Sequence, residues 1–385
     1  MSKKMIYADH AATTPLSPAA YAAMQPWLQD EYGNPSTRYS LAREPRKAVA
    51  SSREIIAKCI GSKPEEIYFT SGGTESDNWA LTGTVFSHPN RRDGIITSCI
   101  EHHAILHTCD FLKRMGYDIE LLPVDPKGIV KPEVLTEHIK ATTQLVSIMM
   151  ANNEIGTIQP IKELSEATHR NGCLFHTDAV QAVGHIPIDV HQLDVDMLSA
   201  SAHKFNGPKG IGFLYIREGV SIEPFMHGGA QESGHRAGTE NVAGIVGMAE
   251  ALQEHQEYMA KEVEYVKGLA NTLLIDLRKS GLDFLLNGSD NRIPGSLSLS
   301  FRGIDGEALM HRLDFKGTAV STGSACDSTR TVLSHVLQAI NAPEEYAYGT
   351  IRITLGMDNT MRQIHTLAEQ VYDITASMQK RELKL

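Results

Sequence analysis

Through the first two-thirds of the chain, short apolar runs alternate with helix-like segments, and this alternation limits the possible folds more than any other feature. The runs 66–70, 95–99, 119–123, 145–150, 173–178, 197–201 and 212–216 read as strands. Segments 74–86, 103–115 and 161–171 carry helical patterns between them. Strands that alternate with helices pair in parallel and are covered on both faces. The pattern therefore predicts an α/β fold, a mostly parallel seven-stranded sheet flanked by helices. Residues 244–280 read as one long helix leading into a smaller α+β C-terminal domain, with strands at 296–301 and 351–355 and a terminal helix at 360–384. We expect a large domain over 15–255 and a small one over 256–385, the latter completed by residues 1–14.

The 385 residues carry a formal net charge of −10, which argues against general binding to nucleic acid or to anionic membranes. No window reaches the ~18 apolar residues of a membrane span. The first residues lack the apolar core of a signal peptide, so a cytoplasmic protein is expected. The five cysteines, Cys59, Cys99, Cys109, Cys173 and Cys326, form no CxxC pair and are odd in number, which speaks against a disulfide framework or a zinc cage. Four lie in apolar or periodic stretches and are expected to be buried. Cys326 instead lies in a run of small polar residues, Ser321 to Thr329, that reads as a loop.

Lys204 follows His203 and precedes a glycine-rich turn, and Asp178 lies about 26 residues upstream at the end of a strand. A lysine that forms a Schiff base with pyridoxal phosphate needs an acidic partner for the pyridine nitrogen, and this pair fits that requirement. In Phe69–Asn78 a strand ends, Gly72 and Gly73 turn the chain, and a helix begins near Thr74. Backbone N–H groups at such a start bind phosphate, although an ordinary capped turn has the same sequence. His102 follows another strand end. It can stack on a planar cofactor, or belong with His103 and His107 to a helical cluster; a metal held by His103 and His107 lacks a suitably spaced acid. Asn152 and Asn153 end a further apolar strand, and ligands of open α/β sheets collect at such carboxyl ends. The glycine-rich stretch 227–241 reads either as a second edge of a phosphate site or as a surface loop. Arg352 reads either as a carboxylate clamp or as a solvent-facing strand residue.

Taken together, Tyr7–Thr14, Gly33–Ser36, Thr70–Asn78, Asn152–Gly156, His176–Gln181, Ser201–Lys204 and Gly323–Cys326 resemble cysteine desulfurases of the NifS/IscS type, pyridoxal-phosphate enzymes of the class-V aminotransferase group. The resemblance runs nearly end to end. It implies that Lys204 holds pyridoxal 5'-phosphate and moves protons, and that Asp178 pairs with the ring nitrogen. It further implies that Gln181 bonds the phenolic oxygen and that His102 stacks on the ring and takes part in proton transfer. Gly73, Thr74, Ser201 and His203 would hold the phosphate, joined by Thr239 from a second subunit, which implies a homodimer. Asn153 and Arg352, with Asn34, would bind the substrate carboxylate. Cys326 would take the sulfur of L-cysteine as a persulfide and pass it to an acceptor protein, a scaffold or a thiolation enzyme. Selenocysteine lyase and other class-V lyases or transaminases are the related alternatives. A non-catalytic sulfur-relay protein is the alternative of another kind, and the presence of Lys204, Asp178 and Cys326 speaks against it.

Three features depart from the housekeeping members of that group. Asp327 follows Cys326 directly, 29 residues follow Gly356, and Ile216–Pro224 has no basic cluster. They imply a sulfur donor dedicated to one scaffold, a tRNA thiolase or a DNA-sulfur-modification system.

Overall fold

The structure is a computed structural model that describes residues 5–87, 93–322 and 333–382. Cys326 and its neighbours from Gly323 lie outside the described residues. Strand β1 (Ile6–Tyr7) comes first. It is followed by β2 (Ile67–Thr70), β3 (Gly94–Ser98), β4 (Asp118–Leu122), β5 (Thr143–Ser147), β6 (Leu174–Asp178), β7 (Met197–Ser201) and β8 (Gly212–Ile216). Strands β2 to β8 form one sheet in the order β2-β8-β7-β6-β5-β3-β4. The pairs from β7 to β4 are parallel, and β8 is antiparallel to both of its neighbours. Only β8 therefore runs against the rest, and six strands end at the same edge. The expected mostly parallel seven-stranded sheet is present.

Side chains of a strand alternate between the two faces of the sheet, and here both faces are dry. Ile96, Val146, Leu198 and Phe213 enter one core, with the helices Arg43–Ile60 and Ile161–His169. Their neighbours Ile95, Leu145, Met197 and Leu214 enter the other, with Trp79 and Val85 of the helix Gly73–Ser87 and Ile105 and Leu112 of the helix His103–Arg114. The run 145–150 outlasts its strand. Met149 and Met150 remain buried beyond Ser147 because the chain turns under the sheet edge instead of leaving the protein. Cys59, Cys109 and Cys173 are buried, whereas Cys99 is only half-buried.

A separate core forms around the later strands β9 (Phe284–Leu286), β10 (Ser296–Phe301), β11 (Thr318–Ala319) and β12 (Thr350–Thr354). β10 pairs antiparallel with both β9 and β12, and β1 pairs parallel with β11. The 38-residue helix Val242–Lys279 packs Ile245, Met248 and Leu252 into the first core and Leu269, Leu273 and Leu277 into this one. After β1 the chain crosses the gap. Thr354 donates to the Ala8 carbonyl, while Thr14 and Ser17 donate to the carbonyls of His203 and Asn206.

The start of β7 is pinned from outside the sheet. His169 bridges two carboxylates, with Nδ1 2.8 Å from Asp194 and Nε2 2.8 Å from Asp196. Asp196 also accepts from the Phe175 amide of β6. The hydrogen bond to Asp196 is the main cause of a raised His169 pKa. The imidazolium contribution is therefore complete below the ordinary histidine value of about 6.5 and is lost as pH rises through the raised value. Urea midpoints of the wild type and His169→Gln should differ most near about pH 5.5 and converge near about pH 9; a gap that widened with pH would contradict this.

Candidate active site

A cavity of about 820 Å³ opens at this edge of the sheet, at the ends of β2, β3, β5, β6 and β7. β7 leads through Ser201 into a tight turn over Ala202–Lys204. Lys204 Nζ donates to the carbonyls of Ala11 (2.7 Å) and Ala12 (2.8 Å), so the N-terminal crossing segment aims the amine into the cavity. His203 Nδ1 lies 3.1 Å from Thr13 Oγ1, and burial pushes its pKa down to about 4. His203 is thus neutral near neutral pH and serves as a hydrogen-bonding group.

β6 ends in Asp178, whose Oδ1 accepts from the Val180 amide at 2.9 Å. Burial raises the Asp178 pKa, opposed by His102, the Val180 amide and Lys204. A cation beside this carboxylate would be strongly paired, because little water competes for it. Two residues earlier, His176 spans from Ser147 on β5 (2.8 Å) to Ser199 on β7 (2.9 Å). Burial pushes His176 down to about 3, so a neutral ring ties three strands together beneath the site. Gln181 lines the cavity and donates to the Ala11 carbonyl at 3.0 Å.

After β5, Asn152 builds a turn by accepting from the amides of Glu154 and Ile155. That turn brings Asn153 to the cavity. After β3, the buried Glu101 accepts from Ser98 Oγ and the Met149 amide, and burial pushes it up to about 8. His102 follows as the N-cap of the helix His103–Arg114, its Nδ1 accepting from the Ala104 amide at 3.1 Å. With Nδ1 occupied as an acceptor, the neutral ring carries its proton on Nε2. Burial lowers its pKa. In this arrangement His102 can stack and donate from Nε2, but it has no vacant ring nitrogen with which to accept a proton.

The strand-to-helix turn 71–74 forms the remaining wall. The amides of Gly73 and Thr74 lie in a first helical turn, where no intrahelical acceptor exists. Among the described residues no backbone carbonyl takes them. Ser201 stands against the turn, its Oγ 3.5 Å from where a Cβ on Gly72 would lie. A Cβ on Gly73 would come within 2.5 Å of Val180 Cγ2, so only glycine allows the turn to close on the Asp178 segment.

Arg352, from β12, closes the cavity on the side of the second core and is 6% exposed. One terminal nitrogen pairs with Asp9 at 2.7 Å, the other donates to the Asn153 carbonyl at 3.0 Å, and Nε is buried without a partner. It is therefore a buried arginine with donor capacity to spare, not a solvent-facing strand residue. Sequence reasoning did not single out Asp9, nor Ala11 and Ala12, although all three stand in the quoted run Tyr7–Thr14. Glu101 was likewise missed; an acid between a strand and a helix cap is the only signal it gives.

Ten expected residues thus meet in one cavity: Gly73, Thr74, His102, Asn153, Asp178, Gln181, Ser201, His203, Lys204 and Arg352. Asn34 and Thr239 do not line it. Asn34 Oδ1 instead caps the Ser36 amide, and Thr239 is exposed on the outer surface. Both flanks of the undescribed segment that holds Cys326 reach the site. Ser321 exchanges backbone hydrogen bonds with Arg352, and Ser334 lines the cavity and donates to Glu154.

Gly73→Ala should lower the unfolding free energy by about 1–3 kcal/mol through overpacking. Adding Val180→Ala, which removes the opposing methyl group, should recover most of that loss in urea melts. Additive losses in the double variant would show that this contact is not the constraint.

The geometry agrees with what comparison with other proteins finds. The model of the class-V aminotransferase family matches residues 6–367. A protein of Dictyoglomus turgidum named cysteine desulfurase IscS is 48% identical, the alignment covering 100% of this chain and 99% of that one. A solved NifS-like protein is 38% identical with a TM-score of 0.91, covering 97% of this chain and 99% of that chain. A structure described as SspA in complex with cysteine is 35% identical with a TM-score of 0.82, covering 91% and 99%. With the family model matching residues 6–367 and a relative 48% identical over the full chain, the chain belongs to the class-V aminotransferase family.

Proposed function

We propose that this chain is a pyridoxal 5'-phosphate-dependent cysteine desulfurase that converts L-cysteine to L-alanine and takes the sulfur onto Cys326 as a persulfide. One observation carries the reading. An amine, a dry carboxylate, a capped imidazole, an N–H cradle and a buried guanidinium converge on one cavity that both flanks of the Cys326 segment reach. The cradle that a Cβ would close and the unclaimed amides beside it fit a phosphate. The names of the relatives, cysteine desulfurase among them, point the same way.

Pyridoxal phosphate supplies an electron sink for negative charge at the α-carbon of a bound amino acid. The protein supplies position and protons. The Gly73 and Thr74 amides, with Ser201 and His203, hold the phosphate. Asp178 would pair with the protonated ring nitrogen, and His102, with its Nε2 proton, would stand as the stacking and donating group. Lys204 would hold the cofactor through its amine and would serve as the base for the α-proton. Its two carbonyl partners aim the amine into the cavity. Arg352 offers the unused N–H groups of its terminal nitrogens to the substrate carboxylate, while Asp9 and the Asn153 carbonyl keep the guanidinium from turning. Cys326 must act as a thiolate, and an ordinary thiol has a pKa of about 8.5. The negative charge of the adjacent Asp327 opposes that ionisation.

In this reading the enzyme is a cytoplasmic homodimer in which Thr239, and with it Asn34, completes the partner's site. Among the described residues no helix is long and apolar enough to cross a membrane. The acceptor of the sulfur is a protein of iron–sulfur cluster assembly or of another thiolation pathway.

Anaerobic incubation with L-cysteine tests the reading. The wild type should release alanine and gain one sulfur by intact mass, and Cys326→Ala should do neither while keeping its cofactor colour. Undiminished turnover in Cys326→Ala would remove Cys326 from the reaction. Faster turnover on L-selenocysteine, independent of Cys326, would favour the lyase.

A further inference from the structure

The two described residues expected at the site but absent from the cavity, Asn34 and Thr239, stand in segments that touch. Ser36, two residues after Asn34, has its hydroxyl 3.3 and 3.4 Å from the carboxylate of Glu240, which follows Thr239. Thr239 belongs to a glycine-rich stretch, 227–241, whose backbone is far from relaxed. Glu232 and Ser233 have φ of 46° and 57°, where side chains are disfavoured, and Gly234 and Gly238 also have positive φ. Surrounding contacts must hold such a loop in shape.

Two buried ion pairs of opposite sense supply that hold. Glu232, from the loop, receives both terminal nitrogens of Arg53 (2.8 and 2.7 Å) and the Phe69 amide of β2 (3.0 Å). Arg236, also from the loop, forks onto Glu75 with Nε at 2.8 Å and a terminal nitrogen at 3.2 Å. Glu75 stands in the first turn of the helix Gly73–Ser87, and its other contact is the Ser71 amide at 2.8 Å. The carboxylates of Glu75 and Glu232 are 6% and 4% exposed, so water competes little for either pair. Arg236 and the exposed Thr239 are three residues apart. The loop is thus mounted on the two ends of the turn that forms the chain's own cradle.

We propose that the Glu75–Arg236 pair is a strut that positions Thr239 for the second subunit's site and couples it to the cradle of its own. Arg236 and Glu75 act here as positioning residues. The inference rests on the reading of a pyridoxal-phosphate homodimer. A merely structural arginine supports the site of its own chain; a strut for Thr239 acts on the other one.

Mixed dimers separate these roles. Lys204→Ala removes the amine that forms the imine at one site, so cofactor fixed to Lys204 by borohydride reports on the other. In one dimer the reporting subunit carries Arg236→Met and its partner carries Lys204→Ala. In the second dimer both substitutions sit in the silent subunit and the reporting subunit is wild type. The strut predicts that pyridoxal phosphate binding weakens by at least about tenfold in the second dimer, the cost of losing a charge-assisted contact. It further predicts that Glu75→Gln in place of Arg236→Met, which retains an acceptor for Ser71 and drops the charge, gives a smaller loss in the same dimer. Wild-type binding in the second dimer overturns the inference, whether or not the first is weakened. Particle mass is read on the same samples. A monomer would defeat the dimer reading itself, whereas a normal dimer with wild-type binding in trans defeats the strut alone.

Discussion

The buried guanidinium of Arg352 joins the parts of this molecule. It stands on β12 in the second core, bonds Asp9 of the N-terminal crossing segment, and donates to Asn153 at the end of β5 in the large sheet. A buried charge without partners would cost several kcal/mol, so the three segments must come together for Arg352 to be tolerated at all. Closing that contact also forms a wall of the cavity. The same crossing segment, two residues after Asp9, presents the carbonyls that receive Lys204. Assembly of the fold and placement of the amine therefore depend on one short stretch of chain.

The sheet supplies the rest by direction alone. With only β8 reversed, the ends of β2, β3, β5, β6 and β7 deliver the cradle, His102, Asn153, Asp178 and Lys204 to a single edge. Burial then sets the protonation states. His176 and His203 are kept neutral, Glu101 is pushed up to about 8, and Asp178 is left in a dry setting where an opposing cation would be held strongly. These are the conditions under which a ring nitrogen can be kept protonated beside a neutral, stacking imidazole.

Much of this was legible in the sequence, because strand periodicity and the motifs at strand ends are local. Each of the seven sheet strands appears within three residues of its expected bounds, and the lysine, aspartate and glycine turn fall where the spacing put them. What was not legible depends on distant pairing. Nothing beside Arg352 in sequence says that its partners are residue 9 and the carbonyl of residue 153. Nothing in the glycine-rich stretch 227–241 says that Glu232 and Arg236 bury their charges against Arg53 and Glu75. On composition that stretch reads either as a second edge of a phosphate site or as a surface loop, and two ion pairs with buried carboxylates fix it. The proton position on His102 was equally out of reach, since it follows from a cap made to a backbone amide.

In the proposed reaction Lys204 carries the cofactor, and Lys209 lines the same cavity. Borohydride treatment of the cofactor-loaded protein, followed by digestion and peptide mass analysis, separates them. A pyridoxyl mass on Lys204 alone is the predicted result. The same mass on Lys209, or on no lysine of the cavity, would contradict the account.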